Sequence, residues 1–338
     1  MNFGIIWFIL WGVLWTVYFV LDGFDLGAGM LQPFIARDES ERHAVAASIG
    51  PFWNGNEVWL LTAGGATFAA FPTAYAVMFS SLYSALLLVL FALIARGVAL
   101  ELRNKEPGAA WRRAWDIAFF AGSAAVALLF GVAFGNIFSG LPLDAAGYHG
   151  SLLGLLNPYG LLTGVLFVLL FLVHGALWLA IKTAGALSLR AAVAAKGLWL
   201  ALVPVAVAFL TATAFATKLY DNYFAHPVLF LAPLLAVVGL LGSRLASGLK
   251  AFLCSGLTIA MVTATGIIGL FPNLLPSSRD PAYSVTISNA ASSPYTLKIM
   301  TAVALCFVPA VICYQLWSYR VLRQAVDPSR PSAQDEVY

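Results

Sequence analysis

The sequence predicts an all-α, polytopic membrane protein of nine transmembrane helices, arranged as two four-helix bundles plus one peripheral helix. Three observations predict it. Of 338 residues, 61% are hydrophobic and only 10% charged, against roughly 25% charge in soluble domains; a water-soluble core of this size cannot hide that much apolar surface, so lipid is the solvent. The apolar residues fall in runs of about 20, the length that spans a bilayer. Lysine and arginine gather in alternate connections, as they do when every second connection faces the cytoplasm.

The spans, marked off by charged or Pro/Gly breaks, lie near 3–25, 50–70, 74–100, 113–138, 158–182, 190–217, 227–244, 248–272 and 296–319. The first runs straight into DGFDLG without a small-residue cleavage site, so it reads as a retained helix. The second and third are divided only by Phe71-Pro72-Thr73. The fourth ends in GNIFSGLP (135–142) and the eighth in GLFPNLLP (269–276). That echo suggests two four-helix units, 1–140 and 158–275, with 296–319 as the ninth helix, although Gly, Pro and Asn end helices without any repeat. All belong to one membrane domain, 1–320, followed by a polar cytoplasmic tail, 321–338, expected to fray.

Orientation follows from the basic residues. The segments after spans 1, 3, 5, 7 and 9, helix ends included, hold Arg37, Arg42, Arg96, Arg103, Lys105, Arg112, Arg113, Lys182, Arg190, Lys196, Arg244, Lys250, Arg320, Arg323 and Arg330; the other side receives Lys218, Arg279 and Lys298. This places the N-terminus outside and the C-terminus in the cytoplasm. Merging 50–100 into one element scrambles the asymmetry.

Several function classes are excluded. The basic residues form no patch of the kind that nucleic acid requires. Cys254, Cys306 and Cys313 all fall in apolar runs with no CxxC pair, which reads as packing rather than a disulfide framework or zinc site. No phosphate loop, zinc-protease motif, nucleophile elbow or dinucleotide fingerprint occurs in a fitting context. Asp116 reads as an ordinary first-turn acid.

Ionisable groups within hydrocarbon are costly, at about 2.5–3.5 kcal/mol on insertion scales, so each is a functional candidate. Asp22 and Asp25 are three residues apart on one helix face, expected at the cytoplasmic end of span 1, with Gly23, Gly27 and Gly29 allowing close helix approach. Two adjacent carboxylates repel, which suits a proton-accepting group; a solvated helix end is the competing reading. Glu57, in PFWNGNEVWLL, sits roughly 10 Å inside span 2 at 1.5 Å per residue, with Asn54 one turn before it and Trp53 and Trp59 on either side. A lone glutamate there needs a proton, a hydrogen bond or water. With the aspartates it forms a ladder of proton-capable groups leading inward, or else a structural hydrogen bond. His174, toward the cytoplasmic end of span 5, has no second histidine at membrane depth to complete a haem, so an interhelical hydrogen bond is the expectation. A secondary transporter with two repeats is the alternative class: such proteins bind substrate at midplane in broken helices, and Pro204 and Pro233 interrupt spans here, without a polar cluster beside them.

DGFDLGAGML, GPFWNGNEVWLLTAGGATFAAFP, GVAFGN (131–136), LNPYGLLTG (156–164) and FPNLLPSS (271–278) occur in this order. Together they resemble subunit II of the cytochrome bd-type quinol oxidases, over essentially the whole chain. The resemblance implies a haem-free subunit, binding no metal and not catalytic alone, in the bacterial cytoplasmic (inner) membrane. Its partner, subunit I, carries haems b and d and the quinol site and reduces dioxygen to water. The chain itself stabilises that partner and contributes a proton path through Asp22, Asp25, Asn54 and Glu57, supported by Trp53, Gly55, Asn56 and Trp59. Some members hold a structural quinone or attach small accessory membrane subunits. Asn54 stands where the family often has aspartate, so Glu57, or water beside Asn54, is expected to take over the proton. Where some relatives have glutamine this chain has His174, and no role is carried there.

Overall fold

A computed structural model describes residues 2–329. Its helices are α1 (Phe3–Ile35), α2 (Glu39–Ile49), α3 (Trp53–Ala70), α4 (Pro72–Ser81), α5 (Tyr83–Leu102), α6 (Ala109–Ser139), α7 (Pro158–Lys182), α8 (Gly185–Ala216), α9 (Tyr220–Ala225), α10 (Leu231–Leu245), α11 (Gly248–Leu270), α12 (Ile287–Ala290) and α13 (Pro294–Val321). Two antiparallel hairpins sit in the long connections: β1 (Leu143–Asp144) with β2 (Gly147–Tyr148), and β3 (Asn273–Leu275) with β4 (Val285–Thr286). Among the described residues, eight helices are long and apolar enough to cross a membrane: α1, α5, α6, α7, α8, Pro227–Leu245 (which contains α10), α11 and α13. The protein is thus a multi-pass, mostly helical membrane protein. α3, which carries Asn54, Asn56 and Glu57, is the ninth of the expected set and is not among those eight.

Local chemistry sets the helix starts. Asn2, Asn157 and Ser293 accept hydrogen bonds from the backbone N–H groups of Gly4, Gly160 and Thr296. Pro158 and Pro294 occupy first-turn positions, where no N–H is needed. The tight turns into α8 and α11 pass through positive φ at Gly185 (65°) and Gly248 (56°), a region that a Cβ disfavours.

Two elements differ from the sequence expectation. α1 runs ten residues beyond the expected end at 25, so Asp22 and Asp25 lie within the helix, roughly 15 Å before its end, and not at a solvated terminus. The third expected span is broken at Leu82 into α4 and α5. Just before the break the Ser80 hydroxyl donates to the carbonyls of Ala76 (2.8 Å) and Val77 (3.1 Å), a form of back-bonding that often bends helices.

The connections sort to two ends. At one end the GNIFSGLP and GLFPNLLP segments clasp each other: Leu141 donates its N–H to the Pro276 carbonyl and accepts from the Ser278 N–H, both at 2.9 Å. Ser292 caps the end of α3 there, donating to the carbonyls of Ala69 and Ala70. At the opposite end, Arg190 donates to the Ile35 carbonyl and to Glu41, and Lys182 donates to the Leu322 carbonyl (2.7 Å) and to that of Gln324. Val326 pairs with the backbone at Lys182 and Ala184 and is buried. The tail is therefore docked through Leu322, Gln324 and Val326 rather than frayed from its start; residues 330–338 lie outside the described residues.

α1 is the hub, packed against α3, α6, α7 and α11. Its aromatic stripe, Trp15, Tyr18 and Phe19, meets Phe130 and Phe134 of α6 and Phe167 and Phe171 of α7, with ring centroids of 5.0 Å for Phe19–Phe167 and 5.2 Å for Trp15–Phe134. Lower down, α1 and α7 touch backbone to backbone: a Cβ on Gly27 would fall 1.9 Å from the Phe171 carbonyl oxygen. Small residues permit that approach where lipid offers no hydrophobic drive.

Candidate functional site

Side chains of α1, α3 and α5 meet in an ionic cluster centred on Arg96 of α5. Its Nη2 donates to Asp22 Oδ1 at 2.9 Å and lies 4.0 Å from Asp25 Oδ2, while Nη1 donates to Glu57. One fork thus bridges acids on two other helices, a geometry that guanidinium provides and ammonium does not. Asp22, Asp25 and Arg96 are fully buried, whereas the Glu57 side chain is 21% exposed.

Asn56 extends the cluster. Its Nδ2 donates to Asp25 Oδ2 (2.7 Å) and to the Leu21 carbonyl (3.1 Å). Its Oδ1 accepts from Gln315 Nε2 (3.1 Å) and from the Tyr319 hydroxyl (2.9 Å) of α13. Trp59 Nε1 donates to Gln315 Oε1 at 2.8 Å, and Phe52 stacks on Tyr319 at 4.6 Å. This is why α13, otherwise largely exposed, is held at its lower end.

The structure brings Asp22, Asp25, Glu57, Asn56 and Trp59 of the sequence candidates together. Asn54 is not in the cluster: it is exposed and lines, with Glu57 and Trp53, an outward groove of about 590 Å³ between α3 and α5. Trp53 packs on Gly97 of α5, and Gly55 faces open space. Arg96, counted from the sequence as a helix-end charge of the connection after span 3, is instead the buried centre. Asp116 is more than a first-turn acid, since it accepts from Arg103 Nε (2.6 Å) and Arg42 Nη1 (2.9 Å).

His174 lies apart from the cluster, in α7. One ring nitrogen is hydrogen-bonded to Ser255 of α11 and the other to the Val20 carbonyl of α1 at 3.1 Å, with Phe252 stacked on the ring. Both nitrogens are engaged within the protein.

Fold and site together define a multi-pass helical membrane protein built around an internal carboxyl–guanidinium cluster. The comparisons make this specific. The family model for cytochrome bd terminal oxidase subunit II matches residues 3–322. The chain is 39% identical to a probable cytochrome oxidase subunit 2 of Haemophilus influenzae, over 93% of this chain and 92% of the relative. It is 38% identical to the cytochrome bd ubiquinol oxidase subunit 2 of Bacillus subtilis (96% and 97%) and to the cytochrome bd-I ubiquinol oxidase subunit 2 of Escherichia coli K12 (93% and 92%). A chain of the bd oxidase structure from Geobacillus thermodenitrificans shares the fold, with a TM-score of 0.73 at 17% identity over 95% of this chain and 98% of that one. The chain belongs to the cytochrome bd terminal oxidase subunit II family.

Proposed function

We propose that this chain is the haem-free subunit II of a bacterial quinol:oxygen oxidoreductase, in the cytoplasmic membrane. It stabilises a haem-bearing subunit I and conducts protons from the cytoplasm toward the oxygen chemistry housed there. α1, α3, the α4–α5 pair, α6, α7, α8, Pro227–Leu245, α11 and α13 are nine spans, with the N-terminus outside; the Arg/Lys-rich end that holds α2 and the tail faces the cytoplasm. Removing Arg96 from the basic set leaves that asymmetry intact.

One observation carries the reading: three carboxyls share a single buried guanidinium, and the cluster opens sideways at Glu57. One cation neutralises one carboxylate, so the remaining carboxyls can hold and release protons. A carboxyl facing lipid at this depth is costly, so the Glu57 groove is where protein covers it and where a proton passes on to the haem-bearing partner. Engagement of both His174 nitrogens supports a subunit without its own haem. An apolar groove between α1, α3 and α13, edged by Gln315 and Tyr319, is the place a structural quinone would take. Family membership and the unbroken α8, continuous through Pro204, favour this reading over a transporter.

The test is Glu57→Gln in the purified complex. Turnover is expected to fall with the haem spectrum intact. Unchanged turnover removes Glu57 from the path, and purification of the native chain without a haem-bearing partner refutes the subunit reading.

A further inference from the structure

Below the Arg96 cluster, α1, α5 and α6 meet along a seam whose polar residues recur two turns apart: Asp25 and Gln32 on α1, Arg96 on α5 and Arg103 at its C-terminal cap, Asp116 and Ser123 on α6. The lower members form a second ionic cluster, in which Asp116 accepts from Arg103 and Arg42. The Arg42 side chain is 34% exposed, so this cluster reaches solvent. Gln32 Nε2 donates to the Arg42 carbonyl at 3.3 Å. Higher up, a Cβ on Gly29 would fall 2.2 Å from Ser123 Oγ, and one on Gly122 would fall 3.1 Å from Arg96 Cβ. Ser123 therefore sits against the α1 stripe between Asp25 and Gln32, beside the turn of α5 that carries Arg96.

Along this seam Gln32 Oε1, Ser123 Oγ, Arg96 Nε and Asp25 Oδ1 are buried without a hydrogen-bond partner among the described residues, and all four residues are at most 1% exposed. Buried polar atoms are nearly always satisfied by protein or by ordered water. Two orphans, Gln32 Oε1 and Ser123 Oγ, lie between a solvent-reaching ionic cluster and a buried one, and two more, Arg96 Nε and Asp25 Oδ1, belong to the buried one; together they point to water.

We propose that the α1–α5–α6 seam holds a file of water that carries protons from the Asp116 cluster to Asp25, with Gln32 and Ser123 as the positioning residues that keep it in line. This rests on the proton-path reading above and adds its cytoplasmic inlet. The Ser123 hydroxyl accepts a proton on its lone pair as it releases its own, and Gln32 Oε1 accepts from water, so both end unchanged. The proton comes to rest on a carboxyl of Asp25 or Asp22, and Glu57 is the outlet.

The experiment uses the complete oxidase complex in vesicles, following quinol-dependent oxygen uptake across pH. Ser123→Ala, which deletes one oxygen, and Gln32→Met, which keeps length, are each expected to slow turnover roughly tenfold or more and to shift its pH profile, with haem content unchanged. Gln32→Glu, which keeps an oxygen in place, is expected to restore most of the rate. Full turnover with an unshifted pH profile in Ser123→Ala and Gln32→Met, while Glu57→Gln is slow, overturns the seam and leaves the path through Glu57 standing. Full turnover in all three overturns both. Should a variant fail to assemble, an experimental map of the unmodified complex decides. Ordered water within hydrogen-bond distance of Ser123 Oγ and Gln32 Oε1 supports the inlet, and protein partners for both atoms overturn it.

Discussion

Among single residues, Arg96 makes the rest of the cluster tolerable. Removing one partner of a buried ion pair costs about 3–5 kcal/mol because the other charge is left uncompensated, and here the carboxylate that Arg96 neutralises is left. Arg96→Met is expected to lower the melting temperature of the complex or to prevent its accumulation, read by thermal denaturation and by membrane content. Arg96→Lys is expected to fall between, because one ammonium cannot reach Glu57 and Asp22 together as the two guanidinium nitrogens do. The acids of this site were visible in the sequence because a charge inside an apolar run stands out. Arg96 was equally visible but reads as a helix-end charge until Asp22 of α1 and Glu57 of α3 are seen against its guanidinium. Choosing Asn56 over Asn54 required the inner face of α3. The signal was present in the stripe Asn56, Trp59, Ala63, Thr67 and Ala70, all buried, whose small members mark the side that another helix approaches.

Between helices, glycine placement decides which can be neighbours. Gly27 and Gly175 meet where α1 crosses α7, and a Cβ on Gly175 would fall 2.5 Å from the Ala28 nitrogen. Backbone cannot yield as a flexible side chain does, so Gly27→Ala is expected to cost at least the roughly 1–3 kcal/mol typical of overpacking, read as a lower melting temperature. Gly64→Ala serves as the control, because nothing lies within 4 Å of the point a Cβ there would occupy, and it is expected to leave stability unchanged. The glycine-rich DGFDLGAGM run announced close packing from the sequence. That the partner would be α7, about 150 positions away, was not legible, since small residues permit an approach without naming who makes it.

Across the whole molecule, two clasps tie the ends of the bundle. At one end, Asp144 accepts from the Ala146 N–H (2.8 Å), from His149 (2.8 Å) and from Arg279. The Ala146 N–H, with His149 and Arg279 adding to it, holds the Asp144 carboxyl below the usual carboxylate range. A depressed folded value stabilises above the unfolded value, about 3.9, and that contribution is lost as pH falls through the lowered one. Asp144→Asn is therefore expected to speed proteolysis of the two hairpins at neutral pH, with the difference from the parent shrinking in strong acid. At the opposite end the tail is pinned through Lys182 and Val326. On the proposed nine-span orientation, a reporter fused after residue 329 is expected to act in the cytoplasm and one inserted near 145 outside. Activity of both on the same side sinks the nine-span orientation.

Local quantities were enough to establish that this chain lives in lipid, roughly where each long apolar helix runs, which acids are costly enough to matter and which family it resembles. Run length, composition, spacing along one helix and ordered motifs are all properties of neighbouring residues. The folded arrangement was needed to show that α1 carries its aspartates deep inside rather than at its end, that Asn56 and not Asn54 joins them, that Arg96 sits between three acids, and that the tail docks. Each of those depends on contacts between residues tens to hundreds of positions apart, and helical periodicity states which face a side chain occupies without stating what that face meets.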